Sequence, residues 1–186
     1  MAKTRILIVD DEPGMLEVCA DTLRKLTDTE ILLEQQSPNA AERIAREGLD
    51  LLIADICMPG LSGLELLRVA RQYDPNVAVL MLTAFPTVET AVESMKLGAA
   101  DYITKPFLPE DLLAVVRRLL EGKQLREENR LLRRQVERAY AFGEILGKSQ
   151  AKQKVFESIQ RVAETDFDVV IVGETGTGKE LVARAI

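Results

Sequence analysis

Five short apolar runs, RILIV, ILLEQ, LLIAD, VAVLML and DYIT, recur along the first 120 residues, and an amphipathic stretch follows each one. Those stretches fall at about residues 13–27, 38–47, 62–73, 86–97 and 108–120. Strand-length runs alternating with helix-length amphipathic segments predict a parallel sheet covered by helices on both faces. The nearly unbroken apolar character of LLIA and VAVLML suits central strands buried on both sides, whereas ILLEQ, with its polar end, suits an outer one.

Residues 121–142, EGKQLREENRLLRRQVERAYAF, change abruptly to long charged side chains with a thin apolar seam and no proline. This pattern predicts an exposed helix or a coiled coil. With Leu125, Leu132 and Ala139 at d positions, Asn129 and Val136 fall at a, and Glu128 at g can reach Arg133 at e of a parallel partner. The expectation is a homodimer joined through Leu125, Asn129, Leu132 and Val136, helped by the surface near the fourth and fifth strands; the alternative is a single solvated helix. Beyond Gly143 the pattern predicts a helix around 149–164, an apolar strand FDVVIV, and a loop GETGTGKE that opens another helix.

The net charge of −6 argues against binding nucleic acid through these residues, because phosphate contacts require a basic face. The chain has no histidine, which removes Ser-His and Cys-His catalysis, histidine-bound metals and a histidine phosphocarrier role. Its two cysteines, Cys19 and Cys57, suggest neither a disulfide framework nor a zinc site. A cytoplasmic protein is expected, with no signal peptide and no membrane association.

Candidate chemistry gathers at the carboxyl ends of the predicted strands: Asp10 and Asp11 after the first, Asp55 after the third, Thr83 after the fourth and Lys105 after the fifth. In an open α/β sheet this edge is where ligands bind. Three neighbouring acids repel one another unless a cation lies among them, and hard oxygen donors suit Mg²⁺. A carboxylate can attack phosphorus and hold the phosphoryl group as an acyl phosphate. Lys105 offers a positive charge to phosphoryl oxygens, and Thr83 a hydroxyl donor. Taken singly, Asp-Asp-Glu-Pro also reads as a helix cap, Thr83 as a strand-end hydroxyl and Lys105-Pro106 as a surface turn.

The motifs ILIVDDE, DICMPGLSG, LTA and DYITKPF closely resemble the response-regulator receiver family over residues 3–121, with no departure at these positions. The resemblance implies a doubly wound, flavodoxin-like, five-stranded parallel sheet with Asp55 as phosphoacceptor. It implies Mg²⁺ held by Asp10, Asp11, Asp55 and the Cys57 backbone carbonyl, Lys105 as phosphoryl partner, and Thr83 with Tyr102 as the switch pair. A cis Lys105-Pro106 peptide and a sensor histidine kinase as donor are also implied. Cys57 and Phe85 resemble receiver positions that tune the lifetime of the acyl phosphate. A phosphotransferase of the haloacid-dehalogenase type would carry a second Asp where Cys57 stands.

Gly173, Glu174, Thr175, Gly176, Thr177, Gly178 and Lys179 form a phosphate-loop pattern, in which glycines let backbone N–H groups curve around a triphosphate and Lys179 reaches its outer phosphates. Glu180 replaces the usual Ser or Thr. With ILGKSQAKQKVFESIQRVA before it, GETGTGKELVARAI resembles the AAA+ domain of sigma-54-dependent transcriptional activators of the nitrogen-regulatory type. The expected domains are a receiver over 1–121, a helical coiled-coil linker over 122–142 and the opening of the AAA+ domain over 143–186. ATP, sigma-54 RNA polymerase and DNA are then expected as partners only through regions outside this sequence. No ATP hydrolysis is expected from it, so the phosphoacceptor switch outweighs the alternative of a self-sufficient ATP-driven motor.

Overall fold

The structure, a computed structural model, describes residues 3–144, 150–163, 165 and 168–186, with side chains left out at 134–144, 150–153, 156, 160, 184 and 185. The chain forms two compact units, Met1–Leu125 and Arg126–Ile186.

In the first unit, strands β1 (Thr4–Val9), β2 (Thr29–Glu34), β3 (Leu51–Asp55), β4 (Ala78–Thr83) and β5 (Asp101–Thr104) alternate with helices α1 (Pro13–Leu23), α2 (Ser37–Arg46), α3 (Gly63–Tyr73) and α4 (Val88–Lys96), and α5 (Pro109–Glu144) follows β5. The sheet is wholly parallel in the order β2-β1-β3-β4-β5. ILLEQ thus contributes to an edge strand, while LLIA and VAVLML fall in central ones, as their composition predicts.

Strand side chains alternate between faces, and the central strands are buried on both. Leu7, Val9, Leu52, Ala54, Val79 and Met81 pack with Ile44, Leu66, Leu67 and Ala70 of α2 and α3. The intervening residues Ile6, Ile8, Leu51, Ile53, Leu80 and Leu82 pack with Leu16, Cys19 and Leu23 of α1 and Leu112, Val116 and Leu119 of α5. Burying each such leucine or isoleucine contributes roughly 1.5–3 kcal/mol, so these two layers set the register of the sheet. That register brings Val9 beside Ala54 and Asp55 beside Leu82, aligning the carboxyl ends of the three central strands.

Several boundaries differ from expectation for local reasons. The first helix stops at Leu23, not at 27, because the chain tightens into a turn: the Leu26 N–H bonds to the Leu23 carbonyl and Asp28 takes φ +55° before β2. The fourth starts at Val88 because Thr87 caps it, its hydroxyl accepting from the Thr90 N–H. No break separates the fifth helix from the charged stretch after 121; both belong to α5, with Gly122 inside it. The Lys123 ammonium holds that turn against the sheet, bonding to Asp50 Oδ1 at 2.6 Å and the Leu49 carbonyl at 3.4 Å.

In the second unit, α6 (Gln150–Val162) and α7 (Lys179–Ala185) flank residues 168–178. FDVVIV is a correction. Phe167 lies outside the described residues, and 168–172 form no strand. A strand exists only through a ladder to a neighbour, and none of the described residues supplies one; Val170 and Val172 remain 86% and 89% exposed.

A close backbone approach lies behind Asp55. A Cβ on Gly63 would sit 2.2 Å from the Asp55 carbonyl oxygen and 2.8 Å from the Met81 methyl, so only glycine lets α3 start this close to β3. Gly63→Ala is expected to destabilise the protein by about 1–3 kcal/mol, read as a lower urea midpoint at unchanged slope; an unchanged midpoint would refute the close approach.

Candidate functional site

The centre of the site is an ion triad at the carboxyl edge of the sheet. Asp10 follows β1, Asp55 ends β3 and Lys105 follows β5. The Lys105 ammonium lies 2.6 Å from Asp10 Oδ2 and 2.5 Å from Asp55 Oδ1. Both carboxylates are buried and the ammonium nearly so. Their other oxygens are also engaged: Asp10 Oδ1 accepts the Glu12 N–H at 3.0 Å, and Asp55 Oδ2 accepts the Cys57 N–H at 2.7 Å. The Lys105 N–H donates to the Thr83 carbonyl at 2.7 Å, and Lys105-Pro106 is cis.

One ammonium faces two buried carboxylates, so the triad is one positive charge short. Burial pushes the Asp10 carboxyl above its ordinary pKa, a rise that the bond from Lys105 offsets only in part. For Lys105 burial acts downward, but its bonds to Asp10 and Asp55 together outweigh it and raise the ammonium pKa. Lys105 therefore stays charged at neutral pH, and the surplus is negative.

Such a donor set fits Mg²⁺, which binds through one or two carboxylates and retains several waters. The ammonium between the carboxylates already marks the position where positive charge is favoured. Asp11 is exposed, and among the described residues no three His, Cys, Asp or Glu side chains converge as a ready-made ligand group. The fit thus rests on Asp10 and Asp55, with Asp11 and the Cys57 carbonyl as neighbours in sequence.

Thr83 is buried at the end of β4, its hydroxyl oxygen accepting the Phe85 N–H at 3.1 Å. Its hydroxyl proton is left to turn toward another acceptor. Tyr102, on β5, is 38% exposed, and Phe85 is 73% exposed. Two residues outside the motifs also shape this edge. Glu65 completes a capping box with Ser62 at the start of α3, a pattern legible as Ser-x-x-Glu. Ser37 is buried and bonds to Pro59 and Leu61; a Ser-Pro pair at a helix start carries no sequence signal for that.

In the second unit, the loop from Gly173 to Glu180 closes upon itself. Lys179 Nζ donates to the carbonyls of Gly173 at 2.9 Å and Glu174 at 2.5 Å, and the Thr177 hydroxyl donates to Glu174 at 2.8 Å. Gly176 and Gly178 take φ of +84° and +83°, while Thr175 and Glu180 are exposed. Of the linker residues, Leu125, Asn129 and Leu132 are exposed; the side chain of Val136 lies outside those described.

Residues 6–117 match the family described as the response regulator receiver domain, and residues 145–186 match the sigma-54 interaction domain. The C4-dicarboxylate transport transcriptional regulatory protein DctD of Pseudomonas aeruginosa is 36% identical over 186 residues, covering 100% of this chain and 40% of its own length. The solved structure of NtrX from Brucella abortus is 34% identical with a TM-score of 0.67, covering 98% of this chain and 40% of that one. A CheY-like receiver domain from Methanospirillum hungatei is 31% identical with a TM-score of 0.63, covering 67% of this chain and 98% of its own. The chain spans about 40% of the length of the curated relatives it matches.

The charge surplus has a measurable sign. A carboxyl whose pKa is raised on folding costs stability while ionised, and that cost disappears as pH falls through the raised value. Asp10→Asn removes the cost and leaves Lys105 paired with Asp55. It is expected to raise the melting temperature at pH 7, without divalent cations, by about 2–4 °C, with a smaller gain at lower pH. Millimolar Mg²⁺ should stabilise the wild type by mass action and the variant much less. A lower melting temperature for Asp10→Asn would show that the ion pair, not the surplus, dominates.

Proposed function

The chain belongs to the response-regulator receiver family and runs on into the opening of a sigma-54 interaction domain, and from that premise we propose that Asp55 is the phosphoacceptor of a two-component switch. The observation that carries this reading is the Lys105 ammonium held between Asp10 and Asp55, 2.6 and 2.5 Å away, at the carboxyl edge of the sheet. An Asp55 carboxylate oxygen attacks the phosphorus of a phosphohistidine on a sensor kinase, or of a small acyl phosphate. A bond from that oxygen to phosphorus forms, the bond to the leaving imidazole or acetate breaks, and the leaving group takes the electron pair.

The remaining residues serve that transfer. Asp10, Asp11, Asp55 and the Cys57 carbonyl would hold Mg²⁺, which when bound supplies positive charge against the phosphoryl oxygens. Lys105, kept charged by its two carboxylates, turns from carboxylate to phosphoryl oxygen and pairs with the incoming group. The Thr83 hydroxyl, whose oxygen accepts from Phe85, donates its proton to a phosphoryl oxygen once one is present, and Tyr102 follows on β5. Phosphorylation thereby changes the surface near β4 and β5.

On this reading the receiver spans 1–121, the linker 122–142 and the sigma-54 interaction segment 143–186. The exposed Leu125 and Leu132 support a paired linker, with Asn129 at an a position specifying two parallel strands. The dimer arrangement then governs assembly of an AAA+ ATPase that acts on sigma-54 RNA polymerase at DNA in the whole cytoplasmic protein. The phosphate loop and Glu180 belong to that assembly. The Lys179 ammonium, engaged with the Gly173 and Glu174 carbonyls, would leave them to meet the outer phosphates of a triphosphate.

Three measurements test the reading. Acetyl phosphate with Mg²⁺ should load one phosphoryl group, and Asp55→Asn should reduce labelling to background; label persisting in the variant or in excess chelator would refute the site. Thr83→Ala should still accept the group but lose the phosphate-dependent change in dimer state. For the linker, Asn129→Leu should tighten self-association about tenfold, or ~1.4 kcal/mol, and broaden the range of oligomers. A chain that remains monomeric at high concentration in both forms would leave a solvated helix.

A further inference from the structure

We infer that Ser37, on the helix before β3, is a positioning residue for the metal side of the phosphoacceptor site, an inference that rests on the reading of Asp55 just given. Ser37 opens α2 but spends its hydroxyl elsewhere. Its Oγ donates to the Pro59 carbonyl at 2.8 Å and accepts the Leu61 N–H at 2.8 Å. One side chain, 1% exposed, thus uses both its donor and its acceptor on the loop that leads from Asp55 to α3.

That loop carries the Cys57 carbonyl, and its ends are fixed independently. At the Asp55 end, the Ile56 N–H bonds to the Leu82 carbonyl, and Asp55 Oδ2 accepts from Cys57. At the helix end, the Gly63 N–H returns to the Ile56 carbonyl at 3.1 Å, and the Ser62–Glu65 capping box starts α3. Ser37 grips the middle. Gly60 lies between its two partners with φ +85°, where an added Cβ would come within 3.1 Å of Ser37 Oγ, so the loop closes around this hydroxyl.

Both groups that Ser37 satisfies are backbone, and neither is a metal donor. Its bonds restrict the 59–60 and 60–61 peptides, and through them the path of the loop that carries the Cys57 carbonyl just upstream. Removing it frees the loop to sample conformations in which the Cys57 carbonyl is turned from the carboxylates. Residues that orient metal ligands from behind typically change metal affinity by about 10–100-fold when lost. A positioning role through one backbone donor belongs at the low end, and it acts on affinity for the ion, leaving the transfer step intact once the ion is bound.

The experiment compares wild type, Ser37→Ala and Ser37→Thr as full chains, measuring Mg²⁺ affinity by calorimetry and initial phosphorylation rate by acetyl phosphate across a Mg²⁺ series. Ser37→Ala is expected to raise both the dissociation constant and the half-saturating Mg²⁺ about tenfold, with a plateau rate within about twofold of wild type. Ser37→Thr, which keeps the hydroxyl, should return most of the affinity. If Ser37→Ala does not fold, Ser37→Cys replaces it with the same expected shift, since a thiol bonds weakly. A variant with a lowered urea midpoint but an unmoved Mg²⁺ half-saturation would assign Ser37 a purely structural role and overturn the inference. Equal loss in the Ala and Thr variants would overturn it as well. A wild type that neither binds Mg²⁺ nor takes up phosphate would overturn the underlying functional reading instead.

Discussion

Everything at the working edge of the receiver answers to one electrostatic constraint, two buried carboxylates sharing a single ammonium. Asp10 follows β1 and Asp55 ends β3, strands that pair side by side, so the fold forces them together. Lys105 reaches them from beyond β5, two strands away from β3 in the sheet order, and its long stem is what allows the contact. A shorter side chain could not bridge that span, and the bidentate geometry of an arginine favours a single carboxylate. The arrangement is balanced enough to fold and still short of positive charge, which is the condition that the proposed cation and phosphoryl site requires.

The sheet and its order of burial were legible because the hydrophobic period is strong in LLIAD and VAVLML and the motif residues all follow strand ends. The convergence of Asp10, Asp55 and Lys105 was legible for the same reason, since parallel strands place their carboxyl ends on one edge. What escaped was set by single tertiary contacts. The helix through Gly122 is such a case: a change of composition suggests a boundary there, but Lys123 finds Asp50 and carries the helix on. FDVVIV has strand composition, yet its described residues 168–172 form no strand, because a ladder is a property of two segments and composition describes only one. Ser37 was invisible because its partners are backbone groups 22 and 24 residues away, which leave no mark on residue type.

Ser37 and Gly63 constrain the segment after Asp55 differently. Gly63 fixes how near α3 can start to β3, by the absence of a side chain. Ser37 fixes the bulge between them, by a hydroxyl that no other group in that layer replaces with the same two bonds. Both act on backbone of the segment that follows Asp55 without touching its carboxylate, and a close-packed interior transmits such restraints with little slack.

The far end of β3 completes the mechanical picture. Asp50, just before the strand, receives Lys123 at 2.6 Å on one oxygen and the Arg5 N–H at 2.8 Å on the other, while Asp55 at the opposite end receives Lys105. The two lysines belong to the same stretch of chain, one just before α5 and the other within it. The stretch of chain from Lys105 to Lys123, which includes the first turns of α5, is thus anchored at both ends of β3. Sliding α5 along the sheet would break the Lys123–Asp50 pair. By contrast α4 buries only Ser94 and leaves Val88, Val92 and Met95 exposed, which makes it the helix of this unit held by the fewest apolar contacts. On the proposed reading, in which a phosphoryl group draws on Lys105 and Thr83, the rearrangement that costs least is therefore in α4 and the loops beside β4 and β5, with β3 and α5 as the frame against which they move.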